Sequence, residues 1–533
     1  MTDSLPAEFK ALASQLKALG AEINAMLPAL VEARRTYMRT RSVPDKAEMV
    51  RLESFAQELG ERHTRLYDEL KRASGLPDEL LEAIDHPHLP SDGIDRRPRE
   101  NLVRDMVETT GLVDDHIAGA IDTVCRIVPK EWLGAEDHSH QLADLANGRD
   151  CLSLVKGLRP ESEFPTLHRL RQMIRVGQDY LTNNSAYDQF AGATLVPQLS
   201  QFGIQFENLK QVGGSLDERL RRLWDSNGAA VDASIFELLV AARCVEKGRR
   251  VEFIDEGTEK TPDIRCHDPF PVQIECKRKR VLSDYELAEE QLMRQLFFAL
   301  ELEAKMKGLW GRFELFLTVE ANAMPVQEIV VRMISQRLAP HPERHTDYPW
   351  GSVAFVSLPH RIDVEPTRMY SPQMLRAVFN WNSDLPDWDG IVCRLDGGGD
   401  FDVDRVSRPI GLVWRNVTRK AVQRRAWSPV DLFGDATNQI TPGEFGIIYL
   451  AYHEGARAEV ADERLQRFFD RVTEWEHAGS IRIPISFLVR LYPRPLDHGV
   501  PDLIESTIRL CSGVYGDPRL FEDFPNSIFT MTP

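Results

Sequence analysis

The feature that most constrains the fold is an alternation of helical and strand patterns that begins at Leu216. LDERLRRLWDSNGAAVDASIFELLVAARCVEKG has helical periodicity, RRVEFI and PVQIECKRK have the composition of strands, and a long helical segment, DYELAEEQLMRQLFFALELEAKMKG, precedes the strand GRFELFLTVE. Segments that alternate in this way bury their apolar faces by packing helices on a sheet. We therefore predict an α/β core over residues 216–340.

Further apolar segments with strand character continue after residue 340, separated by helical stretches such as ERLQRFFDRVTEWEHAG. They are SVAFVSL, GIVCRL, IGLVW, FGIIYLAY and ISFLVRLY. We predict an α/β region over residues 341–533. It is either an extension of the sheet of the core or a separate domain.

The first part of the chain has the spacing of helices instead. Apolar residues three and four apart form one stripe from Phe9 to Met26 and a second from Met49 to Leu70, which predicts an antiparallel helical hairpin over residues 1–90. Residues 91–215 are predicted to be a second, mainly helical region. The expected N-terminal part is thus all-α, and its helices are the expected contact for a homo-oligomer or a regulatory partner.

Composition and charge limit the classes of function. The chain of 533 residues has a formal net charge of −17, which excludes a protein that coats a polyanion with its whole surface. Residues 216–282, in contrast, have 13 Lys and Arg against 13 Asp and Glu, so a nucleic-acid surface is expected there. With no long apolar run, no leader pattern at the start and scattered cysteines, we expect a cytoplasmic location without membrane contact.

Three residues in TPDIRCHDPFPVQIECKRK have the pattern of a catalytic group. Asp263 follows Pro262 at a turn-to-strand junction, and Glu275 and Lys277 lie on one strand with Cys276 between them. Side chains two apart on a strand point to the same face, so Glu275 and Lys277 project together, and Asp263 can face them from the neighbouring strand.

Such a group suits phosphodiester hydrolysis assisted by a metal. Two carboxylates are suitable ligands for a hard cation, Mg²⁺ or Mn²⁺, and the Cys276 carbonyl is a candidate third ligand. A bound cation lowers the pKa of water and neutralises charge on a phosphate. Lys277 is then placed to orient the attacking water or to stabilise the phosphate. The alternative is a surface hairpin on which Glu275 and Lys277 form only an exposed ion pair.

The dipeptide Pro262-Asp263, followed twelve positions later by the tripeptide Glu275-Cys276-Lys277, resembles the PD-(D/E)xK, or restriction-endonuclease-like, nuclease superfamily. The resemblance covers roughly residues 216–320. It implies a mixed central sheet flanked by helices and a metal-dependent nuclease activity, with Asp263, Glu275 and Lys277 as the catalytic residues.

The resemblance also implies roles for the two flanking helices. Glu237, on the preceding helix, is implied as an auxiliary ligand of the metal or of water, against the alternative of a carboxylate at the solvent edge of that helix. The following helix is implied to pack on the central sheet, with Gln291 or Gln295 facing the site.

The run Lys277 to Arg280 contains candidate contacts to the nucleic-acid backbone. Lys279 shares the face of Lys277 and is the better phosphate ligand, whereas Arg278 points to the opposite face and contributes through position and backbone. The alternative is a solvated strand end.

The function we expect is a Mg²⁺-dependent endonuclease acting on DNA rather than RNA, in a restriction or anti-phage defence setting. The alternatives are a nucleic-acid-binding protein that keeps the nuclease-like fold without cutting and a helical scaffold or regulator whose α/β part is structural.

Overall fold

The structure is a computed structural model, and it describes most of residues 105–530 together with scattered residues between 15 and 65. Within residues 105–530 it leaves out 109–112, 135–150, 161–167, 185–186, 227, 256–260, 269–270, 280, 382–387, 398–402, 456, 479–481, 496–499 and 513–522.

The chain divides into two compact units, Met1–Arg96 and Arg97–Pro533. In the first unit the described residues are helical, and Arg51 pairs with Glu48 one turn away at 2.7 Å. The predicted hairpin over residues 1–90 otherwise lies outside the described residues.

The second unit alternates helices and strands throughout. The helices are α1 (Asp114–Ile127), α2 (Lys130–Gly134), α3 (Arg169–Leu181), α4 (Gln189–Leu209), α5 (Leu216–Asp225), α6 (Ala229–Glu246), α7 (Asp284–Met306), α8 (Val326–Gln336), α9 (Pro372–Phe379), α10 (Arg419–Thr437) and α11 (Ala458–Ala478). The strands are β1 (Asp105–Glu108), β2 (Leu152–Val155), β3 (Val251–Phe253), β4 (Ile264–Cys266), β5 (Val272–Arg278), β6 (Gly311–Leu317), β7 (Thr346–Tyr348), β8 (Gly351–Ser357), β9 (Arg361–Thr367), β10 (Gly390–Gly397), β11 (Val403–Asn416), β12 (Phe445–His453), β13 (Arg482–Pro495) and β14 (Pro501–Cys511).

The strands form two mixed sheets. The first sheet has the order β1-β14-β13-β12-β5-β4-β3, in which β5, β12 and β13 are parallel and the remaining pairs are antiparallel. The second sheet has the order β2-β10-β11-β6-β8-β7, with β9 paired to β11. In chain order the second sheet lies almost entirely between β5 and β12, so it interrupts the first sheet as an insertion.

Helices cover both faces of the first sheet. On one face α4 and α6 pack against it, in a core that contains Phe236, Ile274 and Tyr449. On the other face α10 packs on β5 and β12, and α11 packs on α10 around Phe433 and Phe468. The predicted α/β layering is therefore present.

The described part of the region 91–215, predicted to be mainly helical, consists of α1 to α4 and two short strands, of which β1 joins the first sheet and β2 the second. The predicted boundary at residue 340, in contrast, does not separate the two sheets. Strands β12 to β14 complete the first sheet, while β6, from within the predicted core, belongs to the second.

Candidate active site

The hairpin of β4 and β5 brings the predicted acidic residues together. Its antiparallel register pairs Ile264 with Ile274 and Cys266 with Val272. Extended by one residue, the same register places Asp263 opposite Glu275, and the alternation along β5 puts Lys277 on the same face as Glu275.

Asp263 is fixed at the end of β4 by two hydrogen bonds, one to its side chain and one to its backbone. Its carboxylate accepts a hydrogen bond from the backbone N–H of Cys276 at 2.8 Å, and its carbonyl accepts one from the N–H of Ile254 at 3.0 Å. Because the N–H and C=O of a strand residue point to the same edge, the Cys276 carbonyl also faces the end of β4. The half-buried Cys276 thiol, whose pKa is raised mainly by desolvation, packs against the core on the α6 side.

Glu275 is fully buried, and its environment disfavours the charged form. Burial, and next the neighbouring Asp263 carboxylate, raise the pKa of Glu275 to about 8, although Lys277 and the Asp263 backbone act in the opposite direction. A carboxyl group with such a pKa gains strongly from a cation placed between it and Asp263.

Lys277 forms an ion pair with Glu275 on the same face of β5. Burial lowers the pKa of Lys277, but the charges of Glu275 and Asp263 outweigh it, so the pKa is raised above its usual value. Lys277 is therefore a cation at neutral pH, which suits charge stabilisation and excludes it as a general base there.

Gln439, in the segment that follows α10, contacts both Glu275 and Lys277. With its amide nitrogen facing Glu275, Gln439 donates to both carboxylate oxygens at 2.6 and 3.0 Å and accepts from Lys277 Nζ at 2.9 Å. Nearby, Gln273 Nε2 donates to Thr441 Oγ1 at 2.9 Å and Gln273 Oε1 accepts from the Thr441 N–H at 2.8 Å, which ties this segment to β5. Sequence reasoning missed Gln439, because no motif marks a single glutamine so far along the chain from Glu275.

Glu237 lies on α6 in a buried ion pair with Arg219 of α5, at 2.7 Å from Arg219 Nη1. The same Nη1 is 3.9 Å from Asp263 Oδ1, so Arg219 lies between the two carboxylates. Arg219, also missed from the sequence, stays in place because Arg219 Nη2 donates to the Ile254 carbonyl at 2.8 Å. The alternative of a solvent-edge Glu237 is thereby excluded.

A close backbone contact positions α5 and thus Arg219. Gly213 exchanges hydrogen bonds with Val251 and Phe253 of β3. At Gly214, with φ of +80°, a Cβ atom would lie 2.3 Å from the Phe253 carbonyl oxygen. Only glycine fits at this approach, so the turn into α5 is held against the edge of the first sheet.

The two basic residues after Lys277 are Arg278, the last residue of β5, and Lys279, which follows the strand. Arg278 is buried and its guanidinium lies 4.7 Å from the ring centre of Phe529, so it is not available to a phosphate. Lys279 is half-buried on the face of Lys277, and its N–H donates to the Ala451 carbonyl at 2.9 Å.

Gln291 and Gln295 do not lie near Asp263, Glu275 and Lys277. They are exposed on α7, which packs its apolar side into the core of the second sheet through Met293, Leu296 and Leu300. The expectation that α7 packs on the sheet of β5 is wrong, and α10 occupies that position instead.

The donor set fits a hard divalent cation of the Mg²⁺ class. It consists of the Asp263 and Glu275 carboxylates and the Cys276 carbonyl, which are oxygen ligands, and Mg²⁺ commonly takes one or two carboxylates and completes its shell with water. Within the described part of the chain, no group of three or more His, Cys, Asp or Glu side chains is arranged to hold a metal ion.

Searches against protein-family models, curated proteins and solved structures find no match to this chain. Among the described helices, none is both long enough and apolar enough to cross a lipid bilayer.

Proposed function

We propose that this protein is a metal-dependent nuclease that hydrolyses phosphodiester bonds at Asp263, Glu275 and Lys277. The observation that supports it most is the position of Glu275, a fully buried carboxyl group opposite the Asp263 carboxylate and beside the Lys277 ammonium group. Buried charges in this arrangement cost stability and are typical of functional sites.

The topology around the site also supports the proposal. A helix, α6, precedes the antiparallel strands β3, β4 and β5, and the next strand of the sheet, β12, runs parallel to β5 with α10 packed on both. The sequence resemblance to PD-(D/E)xK nucleases implies a core of this general kind. In this chain the second sheet would be an insertion before α10.

In the proposed mechanism Asp263, Glu275 and the Cys276 carbonyl hold a divalent cation. When bound, this cation activates water and neutralises charge on the phosphate. The Lys277 ammonium donates hydrogen bonds to the non-bridging oxygens of the phosphate and stabilises the charge that grows there during attack. Gln439 holds the Glu275 carboxylate and the Lys277 ammonium in one orientation, and Arg219 keeps Glu237 and Asp263 in place.

DNA remains the substrate that we propose, and restriction or anti-phage defence the setting. We propose Lys279 as a backbone contact because it shares the face of Lys277. The N-terminal helices are proposed as the part that binds a partner or a second copy.

A second function, a non-cleaving nucleic-acid-binding protein, is favoured by one observation. Both carboxylates already have cations nearby: Lys277 pairs with Glu275, and Arg219 Nη1 lies 3.9 Å from Asp263. Such pairing stabilises the site without a metal, as in a protein that has kept the fold alone.

The test is incubation of the purified protein with linear, circular and single-stranded DNA and with RNA, each in Mg²⁺, Mn²⁺ or EDTA. The nuclease proposal predicts cleavage of at least one substrate that EDTA abolishes and that Lys277→Met slows by roughly a hundredfold or more. If wild type and Lys277→Met both bind nucleic acid and neither cleaves it in any condition, the result supports the non-cleaving alternative.

A further inference from the structure

One side of α7 carries an uncharged stripe that is exposed to solvent. Residues three and four apart on a helix lie on one face, and the exposed residues of this face follow that spacing along nearly the whole helix. They are Ala288, Gln291, Gln295, Phe298, Ala299, Leu302 and Met306. All of α7 is described, and no charged residue lies on this face between Ala288 and Leu302.

Large apolar side chains make up the C-terminal half of the stripe. Phe298, Leu302 and Met306 are 43%, 62% and 66% exposed. The helix α8, which packs against α7 over the same core, adds Val331 at 64% and, just beyond its end, Leu338 at 76%. These five side chains leave on the order of 500 Å² of apolar area in water on the outside of one helical layer, near the upper limit for a protein that stays monomeric.

A second copy of this chain is an occupant of the right size for this surface. Two copies that meet through it bury on the order of 1,000 Å² of apolar area between them, which reaches the size of a stable interface once the surrounding polar residues are added. A two-fold axis lets the same surface serve both sides of the contact, provided that the surface is complementary to itself.

The charges at the two ends of the stripe are complementary only in an antiparallel pair. Asp284 is exposed in the first turn of α7, and Lys305 is exposed in the last turn. Lys305 shares the Glu301 carboxylate with Arg394, so part of its charge is left unbalanced. In an antiparallel pair centred on Gln295, Asp284 of one copy lies beside Lys305 of the other, and the helix dipoles oppose each other. A parallel pair would bring like charges together at both ends.

The sizes of the side chains also match in the antiparallel orientation. With the two-fold axis at Gln295, residues equally far from Gln295 along the chain face each other, so the small Ala288 of one copy lies opposite the large Leu302 of the other. The two Gln295 amides meet at the axis, where each can donate to and accept from the other. Arg294, beside the axis, is already paired with Glu290 of its own helix at 2.8 Å.

We infer that this protein forms a homodimer in which α7 of one copy packs antiparallel on α7 of the other, about a two-fold axis at Gln295. Gln291 and Gln295, which do not reach the catalytic residues, belong to this interface. Neither the proposed activity nor association through the N-terminal helices is needed for the contact, so a protein that does not cut leaves the homodimer to be decided by its own measurements.

Disulfide cross-linking of the full chain under mild oxidation tests the orientation. Gln295→Cys is expected to cross-link to itself. Ala288→Cys is expected to cross-link to Leu302→Cys in a mixture of the two variants but not to itself, because the two copies of Ala288 lie roughly 21 Å apart along the antiparallel helices. Gln211→Cys, exposed beyond the end of α4, is the control, and wild type gives the background from the native cysteines.

Two results of the cross-linking would overturn the homodimer as described. One is that Gln295→Cys cross-links no more than Gln211→Cys, which means that no second copy lies at α7. The other is that Ala288→Cys cross-links to itself as efficiently as to Leu302→Cys, which means that the helices are not antiparallel about Gln295.

Sedimentation equilibrium of the full chain measures the affinity. Wild type is expected to dimerise, and Leu302→Asp is expected to weaken dimerisation by roughly a hundredfold, because it buries an unpaired charge in the contact. Val417→Asp, at an exposed apolar residue outside α7, is the matched control and should dimerise as wild type does. Association through the N-terminal helices would add to the α7 contact, so Leu302→Asp weakens dimerisation in either case. A monomeric wild type, or equal dissociation constants for wild type and Leu302→Asp, contradicts the inference.

Discussion

The Asp263 carboxylate accepts a hydrogen bond from the backbone N–H of Cys276 at 2.8 Å. This contact ties the end of β4 to the strand that bears Glu275 and Lys277, so the distance between the two carboxylates depends on the pairing of β4 and β5 rather than on a flexible loop. The site is thus built mainly from one hairpin, and contacts from more distant elements orient its side chains.

Gln439 is the most distant of these contacts in sequence and gives the first prediction. Gln439→Ala leaves the Glu275 carboxylate without two of its hydrogen bonds, so we expect metal affinity or cleavage rate to fall by roughly ten- to a hundredfold with little loss of fold. Gln466→Ala, which removes only a 2.9 Å contact to Asp470 on the exposed side of α11, is the control. Equal activity of the two variants would contradict the role given to Gln439.

The second prediction concerns the buried pair of Arg219 and Glu237. Arg219→Met leaves Glu237 buried without its cation and is expected to lower the free energy of unfolding by about 3 kcal/mol in urea denaturation. Adding Glu237→Gln to Arg219→Met should restore part of the loss. In the exposed pair on the same helix, Arg221→Met should cost under about 1 kcal/mol. Similar losses for Arg219→Met and Arg221→Met would show that Glu237 does not need Arg219.

The raised pKa of Glu275 predicts a pH dependence of stability without metal. The folded state binds the proton of Glu275 more tightly than the unfolded state does. The protonated Glu275 therefore stabilises the folded state fully below pH 4.5, and this stabilisation is lost as the pH rises toward 8. Within that window Glu275 alone lowers stability by about 1.4 kcal/mol for each pH unit. Urea denaturation of wild type and Glu275→Gln in EDTA measures this slope. If the free energy of unfolding depends on pH equally in wild type and Glu275→Gln, a group other than Glu275 takes up the proton.

The positions of Asp263, Glu275 and Lys277 relative to one another were predictable because they depend on the geometry of a single hairpin. Strand alternation puts Glu275 and Lys277 on one face, and a hairpin brings Asp263 beside them, all within one short segment. Gln439 was not predictable, because its contact with Glu275 depends on where α10 ends in three dimensions.

The division of strands between two sheets also could not be predicted from local pattern. The segment GRFELFL has strand composition, but composition does not say which neighbours it pairs with, and β6 joined the second sheet. The preceding helix, α7, packs on that second sheet, so its residues Gln291 and Gln295 do not reach the site. Strand β2 is four buried residues, LSLV, too short for its period to be distinguished from that of a buried helix.

The most direct measurement of the central claim is the rate of Mg²⁺-dependent cleavage by wild type, Asp263→Asn and Asp268→Asn on the best substrate of the panel. The two variants make the same chemical change five residues apart, and Asp268 is exposed, with its carboxylate 3.8 Å from Arg250. We predict that Asp263→Asn loses cleavage by a hundredfold or more, in the range of a lost catalytic charge, while Asp268→Asn keeps it. Cleavage by Asp263→Asn at the wild-type rate would contradict the assignment of the site.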